Sequence, residues 1–141
     1  MSFRSKAARW LLWLGSLIQK LPILIMKPDD LVEFSRQTYA RPHNVESWGE
    51  DSLIDSGLTP DELDLLSDIP QKTGQLLLLG VGGGREAIPL AKMGFKVTGV
   101  DYVAAMVERA KENAAQRGIQ ISGLVQEISK LEVPAKAYDV I

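Results

Sequence analysis

Two features of this chain have the types and spacing to do chemistry: the run Gly80-Val81-Gly82-Gly83-Gly84 and the carboxylate of Asp101. Glycines in such a run permit a tight turn and let the main chain come within van der Waals distance of a ligand. The run lies between the apolar stretch Leu76-Leu77-Leu78-Leu79, which reads as a strand, and a helical stretch reaching Met93, the context that gives a glycine motif meaning. A helix opening there would turn N–H groups and a positive dipole end toward an anionic group. Asp101 follows about twenty residues on, at the end of a second strand, Phe95 to Val100. A carboxylate at that rim, near solvent, is placed to accept from both hydroxyls of a ribose.

Two cofactor classes fit this arrangement. Gly82-Gly83-Gly84-Arg85-Glu86-Ala87 satisfies G-x-G-x-x-A, one form of the dinucleotide fingerprint. Nicotinamide-binding chains usually begin their first strand near the terminus, whereas 74 residues precede Gln75 here.

The rest of the composition removes other chemistries. There is no cysteine, hence no disulfide, thiolate metal site or thiol nucleophile. A single histidine, His43, leaves no histidine metal cluster and no Ser-His-Asp system; it reads as an exposed loop residue. No spacing suggests a carboxylate metal site. Net charge is −2, so no general basic surface argues for nucleic acid. Apolar content of 45% with 24% charged residues fits an ordinary soluble globular protein.

The elements that must position loop and carboxylate follow from the pattern. Leu76 to Leu79 is continuously apolar, as a strand buried on both faces requires. The next helix ends near Met93 with Gly94 as its cap. Pro89 is tolerable in it only if the helix starts near Arg85 or Glu86, which puts the missing N–H in the unpaired first turn. Ala104 to Arg117 is a second helix closed by Gly118, Ile119 to Val125 a third strand, and Tyr138 to Ile141 the start of a fourth. Strands and helices alternating at this spacing imply a Rossmann-like, doubly wound parallel sheet. Upstream, Thr59-Pro60-Asp61-Glu62 is a capping box that opens a helix to about Ser67. Asp29 and Asp30 cap a helix through Tyr39 that Pro42 closes, and residues 41–57 read as loop.

The organisation is therefore a helical leader over 1–28, a helix-and-loop extension over 29–70, and a cofactor-binding domain over 71–141. Arg4, Lys6, Arg9, Lys20 and Lys27, with no acid among the first 27 residues, make the leader basic on an otherwise acidic chain. Residues 1–21 have amphipathic helical spacing, which Pro22 ends. The apolar run is too short to span a bilayer. It reads either as a helix packed on its own domain or as an in-plane helix on a membrane surface, with Trp10 and Trp13 at headgroup level. A cytoplasmic protein, with peripheral membrane contact through residues 1–21 in the second case, is the expectation.

The stretch LLLLGVGGGREAIPLAKMGFKVTGVDYVAAMVERAKENA resembles the first motif and the following segment of class I S-adenosylmethionine-dependent methyltransferases. Gly80, Gly82 and Gly84 fall on the family's G-x-G-x-G positions, Leu90-Ala91 and Gly94 on its "LA…G", and Asp101 with Met106 on its "D-x-S-x-x-M". Val125-Gln126-Glu127-Ile128 with Leu131 is similar to the segment after the third strand, and Tyr138-Asp139-Val140-Ile141 to the opening of the fourth. The sequence departs from the pattern at Leu78, where an Asp is common, at Val103, where a Ser or Thr cap is usual, and at Glu127, which stands for an Asp.

The resemblance implies S-adenosyl-L-methionine as cofactor and an in-line methyl transfer to an acceptor that the sequence does not specify. It implies a cofactor site of Gly80, Val81, Gly82, Gly83, Gly84, Asp101, Tyr102, Met106, Glu127 and Ile128, with Glu127 toward the adenine amino group. Tyr39 and Trp48 could reach over the cofactor, as aromatics in similar enzymes do, or serve as core packing. The family's acceptor residues generally follow the fourth strand, so the chain reads as a fragment cut within that strand, with no catalytic residue assignable. A nicotinamide oxidoreductase and a non-catalytic cofactor-binding module are the alternatives.

Overall fold

The computed structural model describes residues 25–141 together with Trp10, Leu12, Trp13 and Gly15. Apart from those four residues, the amphipathic leader helix expected over 1–21 lies outside the described residues. No described helix is long and apolar enough to cross a membrane. The chain divides into two units, Met1–Gln37 and Thr38–Ile141, and the second contains the whole sheet.

Among the described residues, the helices before the sheet are, in chain order, α1 (Pro28–Tyr39), α2 (Pro42–Trp48), α3 (Asp51–Ser56) and α4 (Pro60–Ser67). In α1, Asp29 and Asp30 stand in the first turn, and the Asp30 carboxylate accepts from the Lys27 N–H. The expected capping box opens α4: Glu62 N–H donates to Thr59 Oγ1, and Thr59 N–H donates to the Glu62 carboxylate. The loop expected over 41–57 is instead two short helices, α2 and α3. Pro42 starts α2 rather than merely closing α1, its fixed φ suiting the first helical turn. Gly49 and Gly57 then end α2 and α3.

The sheet has three parallel strands in the order β1-β2-β3. β1 (Gly74–Leu79) pairs with β2 (Phe95–Asp101) from Gly74↔Phe95 to Leu79↔Val100. β3 (Ser122–Val125) pairs with the second half of β2, from Thr98↔Ser122 to Asp101↔Val125. It is shorter than the expected Ile119–Val125 strand, because Ile119 N–H donates to Ala114 O and so belongs to the terminal turn of the preceding helix. Only one residue of the expected fourth strand makes a ladder contact, the parallel bridge Leu76↔Val140. That bridge lies on the edge of β1 opposite β2, where Leu77 N–H donates to Val140 O. The Asp139 carboxylate accepts from Gln75 N–H at 2.8 Å and fixes the same corner.

Two helices cover one face of the sheet. α5 (Ala87–Lys92) starts late enough that Pro89 falls in its first turn, and α6 (Ala104–Gln116) runs from β2 toward β3. Their apolar residues meet Leu76, Phe95 and Val97 in the main core, with Val81, Ala87, Leu90, Val107 and Ala110. A second cluster, Ile54 with Ile88 and Ala114, pins α3 to both helices. The buried stripe of α6 is Met106, Val107, Ala110, Asn113 and Ala114, at helical spacing, and it contains one polar residue.

Candidate functional site

The glycine loop leaves β1 and is stitched at once to the next strand. Gly80 and Val81 both donate to Val100 O, at 2.8 and 2.9 Å. Gly82 N–H donates to Asp101 Oδ2 at 3.2 Å, and Gly84 N–H to Val81 O at 2.9 Å. Gly80 (φ +77°) and Gly82 (φ +50°) need the left-handed region, and beyond each the space is open. Gly83 is needed for a different reason: a Cβ there would stand 2.1 Å from Trp48 O. The amides of Gly80, Val81, Gly82 and Gly84 are thus already bonded within the protein.

Asp101 is 8% exposed, so it is buried rather than at a solvent rim. Its Oδ1 accepts from Val103 N–H at 2.9 Å and its Oδ2 from Gly82 N–H. The sequence places it near solvent; the structure makes it the pin that holds loop and α6 together. Val103 itself supplies no side-chain cap, so the carboxylate two residues earlier satisfies its N–H instead. A carboxylate has about four lone-pair positions, and only two are used here, which leaves acceptor capacity toward the cavity.

That cavity, of about 210 Å³, is lined by Tyr39, Trp48, Gly80, Gly82, Asp101, Tyr102 and Met106. The sequence-derived residues Gly80, Gly82, Asp101, Tyr102 and Met106 thus come together around one space. Tyr39 and Trp48 form its other wall and are both substantially exposed rather than core residues. Val81 is buried in the core beneath the loop, Gly83 backs onto Trp48, and Gly84 packs against Ala110. Glu127 and Ile128 stand apart from this lining, two and three residues beyond Val125, the partner of Asp101. Glu127 bonds to Lys130 Nζ at 2.8 Å and to Ser129 Oγ. The Lys130 contact, with Ser129 next, holds its carboxyl below the usual range. His43 is exposed and lines none of these surfaces.

The cavity fits part of an adenosyl cofactor. It joins a carboxylate to aromatic rings and a thioether, over glycines with nothing projecting from them. Its volume is below the roughly 300 Å³ at which small-molecule sites usually begin, room for only a portion of such a ligand. A larger hollow of about 790 Å³ opens around Gln75, Lys96, Lys111 and Gln120, at the amino ends of the strands. Ligands of open α/β sheets bind at the carboxyl ends, where the smaller of these two lies, next to a further cavity of about 70 Å³ on the Arg85 side of the glycine loop.

Three supporting residues escape a reading of the motif alone. Arg85, next to the loop, donates to both oxygens of Glu62 at 2.7 and 3.0 Å and to Gly57 O at 2.7 Å, and it also contacts Glu86. Asn113 Nδ2 donates to Gly83 O and Gly49 O. Gly49 is covered by the Arg109 side chain, whose Cγ would lie 2.5 Å from an added Cβ. A polar residue inside the apolar stripe of α6 is the sequence signal that could have singled out Asn113.

A family model described as a methyltransferase domain matches residues 76–141. A ubiquinone biosynthesis O-methyltransferase of Rickettsia felis is 37% identical over 67 residues, covering 48% of this chain and 27% of that protein. A 23S rRNA (uracil(1939)-C(5))-methyltransferase of a Shewanella species is 41% identical over 66 residues, covering 47% of this chain and 14% of that one. The chain therefore spans about a quarter or less of the length of these relatives. Phosphoethanolamine N-methyltransferase 1 of Haemonchus contortus, solved with phosphoethanolamine and S-adenosylhomocysteine, superposes with a TM-score of 0.59 at 24% identity. That superposition covers 82% of this chain and 26% of the other, and establishes a shared fold.

Proposed function

We propose that residues 76–141, which match a methyltransferase-domain model, are the cofactor-binding part of a class I S-adenosylmethionine-dependent methyltransferase, and that the cavity between the glycine loop and Trp48 holds the adenosyl part of that cofactor for methyl transfer. The observation that carries the reading is Asp101, a buried carboxylate fixed by two main-chain amides with acceptor capacity left toward the cavity. Asp101 would accept from the ribose hydroxyls, Gly80 and Gly82 would give the ligand room against the main chain, and Tyr102 and Met106 would border it. Glu127 and Ile128 remain part of the proposed site on the strength of the family pattern. Tyr39 and Trp48 would shield the opposite side from water. When bound, S-adenosylmethionine supplies a methyl already activated on a sulfonium, so the protein's share is alignment and a dry site.

The matching family model and the named relatives are methyltransferases, which favours this reading over the dinucleotide one. The relatives act on different acceptor atoms, an oxygen in one name and a uracil carbon in the other, while each matches just under half of this chain. This supports assigning the stretch to the cofactor, with the acceptor chosen by other parts of each enzyme.

Calorimetric titration of the complete polypeptide is the test. Binding of S-adenosylmethionine and S-adenosylhomocysteine without response to NADH is the expected result. Binding of NADH alone would overturn the proposal.

A further inference from the structure

The aromatic wall of the cavity has no strand to hold it. Trp48 is the last residue of α2, a helix of seven residues with no buried residue and no side-chain cap at its start. Helices this short are unstable in isolation and are fixed by what they pack against. What fixes the end of α2 is a set of contacts from α6. Asn113, 2% exposed, uses the two N–H bonds of one amide on two carbonyls: Gly83 O at 2.9 Å and Gly49 O at 3.3 Å. One carbonyl belongs to the glycine loop and the other to the residue directly after Trp48. Around that bond the surfaces are already in close contact. Trp48 O lies against Gly83, and Arg109, one turn before Asn113 in α6, lies over Gly49.

We propose that Asn113 is a positioning residue for the cofactor: by tying the end of α2 to the glycine loop, it sets the distance between Trp48 and the Gly80–Gly82 floor. The inference rests on the reading of the cavity as an adenosyl site. An apolar side chain at position 113 would leave two carbonyls facing a dry interior, and the cheapest relief is for the end of α2 to lift toward water. Trp48 would lift with it. Asn113 does not itself line the cavity, so its effect on binding has to pass through the residues it holds.

The test is a double-mutant cycle on the complete polypeptide, read as the affinity for S-adenosylhomocysteine by calorimetry below the melting temperature of every variant. Asn113→Ala should weaken binding at least fivefold. In a Trp48→Leu background, the same Asn113→Ala change should weaken it by less than about twofold, since the group it positions is gone. A loss equally large in both backgrounds, or no loss at all in a folded Asn113→Ala protein, overturns the proposal. Should Asn113→Ala fail to fold, Arg109→Ala serves in its place. It loosens the same Gly49 contact from a side chain that is 31% exposed and pairs only loosely with Glu112, at 3.7 Å. Arg109→Ala should weaken binding in the Trp48 background only, and an equal loss in both backgrounds overturns the proposal by the same logic. Failure of the unsubstituted protein to bind S-adenosylhomocysteine would instead overturn the cofactor assignment on which the inference rests.

Discussion

The two walls of the cavity are built by different means. The sheet wall of Gly80, Gly82 and Asp101 is held by main-chain bonds, with the loop amides on Val100 O and on the Asp101 carboxylate. On the helical side, side chains reach across sequence: Asn113 ties the end of α2, after Trp48, at Gly49, while Arg85 holds Glu62 and Gly57 and Arg117 holds Asp51 and Asp55 on the neighbouring helices. The first kind of wall is cooperative with the strand ladder and should yield only when the sheet does. The second is a set of separable clips. A rigid floor and an adjustable cover is the division of labour expected of a site that must admit a ligand and then exclude water.

The largest effect should come from breaking the floor. Asp101→Ala removes the proposed acceptor for the ribose hydroxyls and orphans the N–H groups of Gly82 and Val103. Charge-assisted bonds contribute about 1.5–3 kcal/mol each, so cofactor affinity should fall at least about tenfold, the equivalent of about 1.4 kcal/mol. Unlike a rim residue, Asp101 should also cost stability, on the order of 1–3 kcal/mol for buried donors left unpaired. Titration with S-adenosylhomocysteine and chemical denaturation measure the two separately. Unchanged affinity in a folded variant would remove Asp101 from the site.

The same contrast explains what could be read from the residues in advance. Loop, strand and carboxylate were legible because each is specified locally: glycines where φ must be positive, an apolar run for β1, Asp101 at a strand end. The capping box at Thr59–Glu62 and the late start of α5 at Pro89 are local rules too, and both hold. Residues 41–57 looked like loop because Pro42, Gly49 and Gly57 interrupt any helical pattern. They fold into α2 and α3 through partners far away in sequence, with Ile54 against Ile88 and Ala114, and Asn113 on Gly49 O. The burial of Asp101 was hidden for a similar reason, since its partners are backbone amides and no side-chain pattern announces them. β3 was overestimated at its start because Ile119 is claimed by the end of α6 before it can reach β2.

A smaller effect should follow from releasing one clip of the helical wall. Glu62 closes the α4 cap and pairs with Arg85 beside the glycine loop. The Arg85 side chain first, and the Thr59 N–H next, pull its carboxyl from 4.5 to about 2, while Arg85 is raised chiefly by the same bond. The carboxyl is lowered in the folded state, so its contribution is complete above pH 4.5 and is lost as pH falls through about 2. Glu62→Gln should therefore be less stable than the unsubstituted protein near neutrality, and the difference should close across that window. With both side chains partly exposed, solvent screening limits the difference to about 1 kcal/mol or less. Denaturant melts across the acid range measure it, and a gap independent of pH would show that the cap, rather than the ion pair, carries it.

The smallest effect belongs to the clip whose acids are the more exposed. Arg117, in the turn after α6, reaches Asp51 and Asp55 on α3 at 2.8 and 2.7 Å, and its Nη1 also donates to Asn113 O at 3.2 Å. Both acids are mostly exposed, at 77% and 65%, so water and salt screen the pairs strongly. Asp51→Asn with Asp55→Asn should cost within the ~0.2–1 kcal/mol usual for exposed pairs, and the cost should shrink as salt is raised. The two acids do not line the cavity, and Ile54 still anchors α3 beneath them. Affinity for S-adenosylhomocysteine should therefore stay within about twofold, less than half a decade at about 1.4 kcal/mol per decade. A larger loss would mean that α3 and α2 move as one body. The cover would then be a single hinged piece rather than a row of independent clips, and Arg117 would belong with Asn113 among the residues that set its position.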